Sequence, residues 1–337
     1  MKKTFFDVIS GLPLQFSEAL DATNIKISPR TKDIIFCGLG GSALPADLLK
    51  SYLAAAAVDA PEILVIKDYS FPGRVDKKWR GFFCSYSGNT AETLNCLKEA
   101  LALRSLGEGR EQIGMKEIII LAHGGELQKI AEEKGYPFVQ IPDTAQPRLS
   151  YAYVLGAMLK ILADSKLIKI NFNELNADIE KCVALKDKID EHGKALAQKL
   201  KGKTPLIYSS NKFSAISQIW KINFNENAKI PAFCNVFPEL CHNEMVGFTN
   251  SAGNYQAIIL KDENDSAEVK KMMDVFKQTL NGKLDVEIIN TESGSNFFKM
   301  ITCLWLGLWT SYHLAILNNV DPEPVVLVEE FKKKMAE

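Results

Sequence analysis

Two short loops carry the side chains best suited to chemistry in this 337-residue chain. The first is Ser85-Tyr86-Ser87-Gly88-Asn89-Thr90, three hydroxyls and a glycine between a short apolar run and a helical one. Hydroxyls and backbone N–H groups at a helix N-terminus can hold a phosphate without a lysine, because the helix dipole supplies partial positive charge. Ser87 and Thr90 would also serve as plain helix caps, but three hydroxyls around one glycine exceed what capping needs. The second loop is Gly38-Leu39-Gly40-Gly41-Ser42-Ala43, whose bare backbone N–H groups at the start of another helix form an anion site. Gly41, Ser42, Ser85, Ser87 and Thr90 are therefore the expected phosphate ligands. The glycine loop also fits the loose pattern G-x-G-x-x-G/A, with Asp68 beyond it as a ribose ligand. A nicotinamide-dependent dehydrogenase is thus a rival reading, but it leaves the Ser85–Thr90 loop unexplained.

The elements that must position these loops alternate between strand and helix. Asp33 to Cys37, Glu62 to Lys67, Gly81 to Cys84, Ile118 to Leu121 and Val139 to Ile141 read as strands, with helices over Leu44 to Ala57, Ala91 to Leu103 and Gly125 to Lys134. Continuous apolar runs separated by helices predict a parallel sheet covered on both faces. In a doubly wound sheet ligands collect at the carboxyl ends of the strands, so the two loops should converge on one crevice. A helix over Ser150 to Ala163 follows, then a charged segment, Asn171 to Gly202, whose apolar residues recur at three- and four-residue steps. That spacing predicts one or two amphipathic helices.

The second half repeats the logic. Pro205 to Tyr208 is a strand, Ser209-Ser210-Asn211 a polar loop, and Phe213 to Asn225 a helix; strands over Tyr255 to Leu260 and Leu284 to Ile289 and a long helix over Ser295 to Asn318 follow. The expected organisation is α/β with two doubly wound parallel-sheet domains: residues 1–165, a helical linker over 166–202, and residues 203–337.

Composition narrows the function classes. Lys plus Arg number 40 against 41 Asp plus Glu, so no basic excess exists to neutralise a nucleic-acid backbone. The N-terminus lacks the apolar core and cleavage site of a signal peptide. The most apolar stretch, Met300 to Leu317, is interrupted by Thr302, Thr310, Ser311 and His313 and reads as a buried helix rather than a membrane span. Seven cysteines without a C-x-x-C pair point to a reducing, cytoplasmic compartment. The four histidines lack ligand spacing, so no metal site is expected.

Gly-Gly-Ser-Ala after strand one and Ser-x-Ser-Gly-Asn-Thr after strand three resemble the sugar isomerase (SIS) fold. Pro147-Arg148, the run Glu226-Asn227-Ala228-Lys229, and Pro238-Glu239-Leu240-Cys241-His242-Asn243-Glu244 resemble signatures of the bifunctional phosphoglucose/phosphomannose isomerases of archaea and bacteria. The resemblance spans essentially the whole chain. It implies two SIS-type domains, a sugar-phosphate substrate, no cofactor, and isomerisation of aldose to ketose through a cis-enediolate.

Carried over residue by residue, the resemblance makes Glu226 the base that shuttles the proton and His242 the group that opens the sugar ring. It also implies that His242 enters the site from a partner subunit, hence a homodimer. Arg148 would be the cation near the enediolate, and Lys332, with Lys333 and Lys334 beside it, the active-site lysine of the closing helix. Glu239 reads as supporting its loop and Glu244 as orienting a neighbour. Read without the motif, Glu226 is an ordinary helix-end glutamate and Arg148 a surface arginine.

Three positions depart from the family pattern. Cys241 stands where asparagine is common, His123 where serine or threonine is common, and Glu323 where a threonine is expected before Pro-Val. The last change bears on mannose activity more than on glucose activity. A non-catalytic sugar-phosphate sensor is the remaining alternative.

Overall fold

The computed structural model describes residues 3–29, 33–56, 60–72, 79–105, 115, 117–250 and 253–336. The chain divides into two compact units, Met1–Glu180 and Lys181–Glu337. The division falls within the charged stretch that the sequence marks as a linker.

The first unit holds α1 (Phe5–Ser10), α2 (Leu12–Ala22), β1 (Ile34–Cys37), α3 (Leu44–Ala56), β2 (Ile63–Ile66), β3 (Arg80–Ser85), α4 (Ala91–Ser105), β4 (Ile118–Ala122), α5 (Gly125–Lys134), β5 (Phe138–Gln140), α6 (Tyr151–Asp164) and most of α7 (Phe172–Ala184). Its strands are all parallel, in the order β2-β1-β3-β4-β5. β1, β3 and β4 are buried along their whole length, as an internal parallel sheet requires. Phe36 pairs with Val65 on one side and Phe82 on the other, which fixes the register.

Two features of this unit lie outside the sequence reading. α1 and α2 precede the first strand; Thr4 and Asp7 form a capping box on α1, and α2 buries Leu12, Phe16 and Leu20. The third strand also begins one residue earlier, at Arg80, which is fully buried and donates to Glu117 Oε2 at 2.7 Å. The helix expected to reach Ala57 is described as far as Ala56; Ala57 lies outside the described residues.

The second unit holds α8 (Lys186–Leu200), β6 (Thr204–Ser210), α9 (Ser214–Glu226), β7 (Phe233–Phe237), β8 (Tyr255–Lys261), α10 (Ala267–Thr279), β9 (Asp285–Asn290), α11 (Asn296–Leu317) and α12 (Val326–Ala336). Its strands are again parallel, in the order β7-β6-β8-β9. That is the order of β2-β1-β3-β4, so the repetition read in the sequence is a repetition of sheet topology. β7 escaped the sequence reading because Asn235 interrupts it and its residues are largely half-exposed. α10 was equally unmarked, although Ser266 caps it and Met273 and Phe276 bury one face.

α11 is long and apolar enough to cross a membrane, but 78% of its most apolar window is buried. Trp220 of α9 donates its indole N–H to the Cys303 carbonyl of α11 at 2.9 Å. α11 is thus a core helix of this unit, as the sequence predicts.

Candidate active site

In the first unit the strand order reverses between β1 and β3, and both candidate loops leave the sheet at that switch point. After β1 the chain makes a 3-10 turn over Gly40–Ser42 before α3. Ser42 is buried, and its Oγ accepts the Tyr86 N–H at 3.1 Å, which stitches the first loop to the second. A further turn, Pro147–Leu149, closes on the first loop from behind. A Cβ on Gly41 would lie 2.6 Å from Arg148 Cα, so only glycine admits this approach. Arg148 is 3% exposed, with its guanidinium 5.6 Å from the centroid of the Phe5 ring and Nη1 donating to Gln146 Oε1 at 3.3 Å. The surface-arginine reading therefore fails; Arg148 is a buried cation beside an anion-type loop.

The hydroxyls of the second loop have divided their work. Ser85 is buried; its Oγ lies 2.8 Å from Thr90 Oγ1 and accepts the Gly88 N–H at 3.1 Å. Ser85 therefore braces the loop from inside. Ser87 is exposed and accepts the Asn89 N–H at 3.2 Å, while Thr90 is half-buried where α4 begins. Gly88 has φ of +68°, the left-handed region that side chains disfavour, and a Cβ there would meet the Gly124 carbonyl oxygen at 1.8 Å. Asn89 Oδ1 accepts the Glu126 N–H at 3.0 Å, and the Gly88 carbonyl accepts the Leu127 N–H at 3.0 Å. The loop is propped on the β4–α5 turn at several points.

Sequence reasoning missed the part played by Tyr86. Its ring stacks on His123 with centroids 5.1 Å apart. Its hydroxyl accepts the Thr144 N–H at 2.8 Å and donates to Asp143 Oδ1 at 3.1 Å. His123 Nδ1 lies 2.9 Å from the Ile141 carbonyl oxygen. His123 thus takes up a ring-stacking place. The signal was present: one aromatic residue in a loop otherwise made of small polar ones.

Glu226, His242 and Lys332 lie in the second unit. Glu226 is the half-buried last residue of α9, followed by the buried Asn227 and Ala228. His242 ends a 3-10 turn, Glu239–His242, and is exposed. Its loop is held from both sides: Asn243 Nδ2 donates to Glu239 Oε1 at 2.8 Å, and Glu244 accepts from Tyr208 Oη and Asn235 Nδ2, each at 2.5 Å. Cys241 packs partly buried against the apolar cluster around Tyr208 and Phe237, and burial raises its thiol pKa. Lys332 is exposed on α12, with Nζ 3.1 Å from Glu329 Oε1. The same helix exposes Leu327, Phe331 and Met335.

The second unit has its own switch point, between β6 and β8, and it is filled differently. Asp262 follows β8 and is fully buried; its carboxylate accepts from Lys299 Nζ at 2.9 Å, from Lys212 Nζ, and from Thr291 Oγ1 at 3.2 Å. Lys299 is itself fully buried and reaches Glu263 Oε1 at 2.8 Å. Burial alone would raise the Asp262 pKa, but the hydrogen bonds from Lys212 and Lys299 outweigh it and leave the carboxyl below its ordinary value. Among the described residues no group of three or more His, Cys, Asp or Glu is placed to hold a metal ion.

A family model described as the bacterial phospho-glucose isomerase C-terminal SIS domain matches residues 189–335. A bifunctional phosphoglucose/phosphomannose isomerase of Aquifex aeolicus is 32% identical over 307 residues, covering 90% of each chain. The chain belongs to the bifunctional phosphoglucose/phosphomannose isomerase family. Another relative, the D-glucosamine-6-phosphate 4-epimerase of Sulfolobus acidocaldarius, is also 32% identical, over 75% of this chain and 76% of its own. Among solved structures, the tagatose-6-phosphate ketose/aldose isomerase of Escherichia coli superposes with a TM-score of 0.67 at 12% identity, over 95% of this chain and 94% of that one. Membership of the family therefore rests on sequence, and the shared SIS architecture on both sequence and fold.

Proposed function

We propose that this protein interconverts glucose 6-phosphate, and with it mannose 6-phosphate, with fructose 6-phosphate through a cis-enediolate. One observation carries the reading. The loops after β1 and β3 form a braced, anion-type cradle with a buried arginine beside it, as an enzyme anchoring a sugar phosphate needs. Gly41, Ser42, Ser87 and Thr90 bind the phosphate with the loop N–H groups, and Ser85 holds them in place.

The reaction moves a proton between C1 and C2 and needs no cofactor. Glu226 takes the proton from one carbon and returns it to the other. His242 protonates the ring oxygen, a proton transfer to which an imidazole is suited. Arg148 steadies the developing enediolate charge, its guanidinium being permanently protonated. Lys332 is the proposed active-site lysine, on the resemblance of its helix to the family's closing helix.

His242 is proposed to act from a partner subunit. Its exposure, and the exposed Leu327, Phe331 and Met335, support a homodimer in which such surfaces are covered. The seven free thiols fit a cytoplasmic enzyme. Glu323, in place of the expected threonine, bears on the mannose 6-phosphate reaction more than on the glucose 6-phosphate reaction.

The test is a coupled assay on purified protein without added metal or cofactor, offering glucose 6-phosphate, mannose 6-phosphate and glucosamine 6-phosphate in turn. Fructose 6-phosphate should form from the first two. Epimerisation of glucosamine 6-phosphate instead would place the chain with its 4-epimerase relative, and inertness on all three would favour a sensor. Glu226→Gln should lower kcat by roughly 10² to 10⁴ while leaving KM near wild type. Normal turnover by that variant would remove Glu226 as the base.

A further inference from the structure

Lys229 closes the turn that follows α9, three residues after Glu226. Its backbone has φ of +56°, a left-handed conformation that glycine adopts readily and residues with a Cβ adopt at a cost. A lysine kept in such a place points to a need for its side chain. The side chain supplies one. Nζ donates to the carbonyls of Glu226, of Pro324 at 2.6 Å and of Pro322 at 3.3 Å. The residue is exposed, yet its ammonium is spent on main-chain oxygens rather than left to water.

These three acceptors belong to two separate stretches of chain. One is the last residue of α9; the others flank Glu323 in the turn that leads into α12. That turn is ordered in its own right, because the Glu323 N–H donates to Asp321 Oδ1 at 2.9 Å. The α9 turn is also fixed on its other sides: Asn225 Nδ2 donates to the Ile230 carbonyl at 2.9 Å, and Asn227 Nδ2 to Ser311 Oγ of α11 at 2.9 Å. Lys229 adds the brace on the C-terminal side.

We infer that Lys229 is a positioning residue: it fixes the main chain that presents Glu226 and ties it to the segment carrying Glu323 and the start of α12. The inference rests on the reading of Glu226 as the proton-carrying base. It gives the lysine of the Glu-Asn-Ala-Lys run a task outside the chemistry. It also makes the geometry at Glu226 depend on the Pro322–Pro324 turn, the place where this chain departs from the family's threonine.

Lys229→Gly separates positioning from stability. Glycine relieves the left-handed backbone while removing the ammonium, so the melting temperature should stay near wild type. Displacing a reacting group by about an ångström can cost roughly 10²-fold in rate, so kcat should fall by about 10- to 10²-fold with KM nearly unchanged. Lys229→Asn, which also tolerates this backbone, repeats the measurement should the glycine variant fold poorly. Lys229→Arg keeps a cation able to donate to carbonyls and should restore most of the turnover. Trypsin should cleave after Lys332 faster in the glycine and asparagine variants than in wild type, since the turn before α12 has lost its tie.

Wild-type kcat in both of the first two variants would overturn the inference. So would a proportional loss of kcat and melting temperature in both, which would make Lys229 merely structural. Glu226→Gln is measured alongside. If it keeps wild-type turnover, the base assignment has failed, and the tryptic rate then decides: faster cleavage upholds the tie to α12, and an unchanged rate removes it.

Discussion

The two switch points of this molecule share a topology and differ in charge. At β1 and β3 the loop side chains are hydroxyls and one amide, neutral groups braced by one another, with the buried Arg148 alongside. At β6 and β8 the loops and α11 bring a carboxylate between two lysines, and the charges satisfy each other. A buried cation calls for an anion, since an uncompensated buried charge is expensive. The second unit supplies its anion from the chain, as Asp262. The loops of the first unit present hydroxyls and backbone N–H groups, the donors proposed for a substrate phosphate. The repeat has thus kept its strand order in both halves and filled the two switch points with different side chains.

The largest expected effect comes from breaking the internal pair. Asp262→Asn leaves the fully buried Lys299 with Glu263 as its remaining carboxylate; removing one partner of a buried pair typically costs about 3–5 kcal/mol, and the surviving contact puts the loss at the low end of that range. Chemical denaturation of the full chain should register a loss of this size, read on the transition that includes the second unit. A cost under about 1 kcal/mol would show that the pair is solvated and that the contrast between the switch points has been overdrawn.

The same pair gives the comparison a pH dependence. The Asp262 pKa is lowered in the folded protein, so its stabilising contribution is present above the unfolded value of about 3.9 and is lost as pH falls through the lowered folded value. Lys299 titrates the other way: bonds to Glu263 and Asp262 outweigh its burial and raise its pKa, so its contribution is lost only as pH rises through that raised value. The stability gap between wild type and Asp262→Asn should therefore be flat around neutrality and shrink below about pH 4. A gap that instead shrinks between about pH 6 and 7 would point to a histidine.

On the first unit the strongest lesion is Gly88→Ala. The added Cβ would meet the Gly124 carbonyl at 1.8 Å in a left-handed backbone, so the loop must move off the β4–α5 turn. With the loop in its proposed role as phosphate holder, kcat/KM for glucose 6-phosphate should fall by about 10²-fold or more. Inhibition by inorganic phosphate should weaken in parallel. Unchanged phosphate affinity would place the anion elsewhere.

These contrasts were unequally legible in the sequence. The parallel sheets, the two loops and α11 follow from continuous apolar runs and from glycine and serine at helix starts, which are local signals. Arg148, read without its motif, looks like a surface residue because burial comes from the Gly41 contact, which no spacing reveals. The Asp262–Lys299 pair joins residues 37 positions apart in the chain, one after a strand and one in the first turn of a helix. Nothing in either neighbourhood marks them as partners. Tyr86 and His123 were hidden for the same reason, since their stacking depends on the β3–β4 register.

The smallest effect should come from Ser87→Ala, and it tests how the hydroxyls have divided their work. Ser87 is exposed and Ser85 is buried, although both belong to one loop and their Oγ atoms are 3.4 Å apart. A hydroxyl that meets only the substrate should affect binding alone. A hydrogen bond to a charged group contributes about 1.5–3 kcal/mol, so KM should rise by roughly 10- to 10²-fold, with kcat and melting temperature close to wild type. Ser85→Ala removes the acceptor of the Gly88 N–H and the partner of Thr90, so it should lower melting temperature as well as substrate affinity. If the two variants behave alike, the loop acts as one unit and its hydroxyls have no separate roles. If Ser87→Ala costs stability and spares KM, the exposed hydroxyl is a cap, and the phosphate is held by the main chain and Thr90.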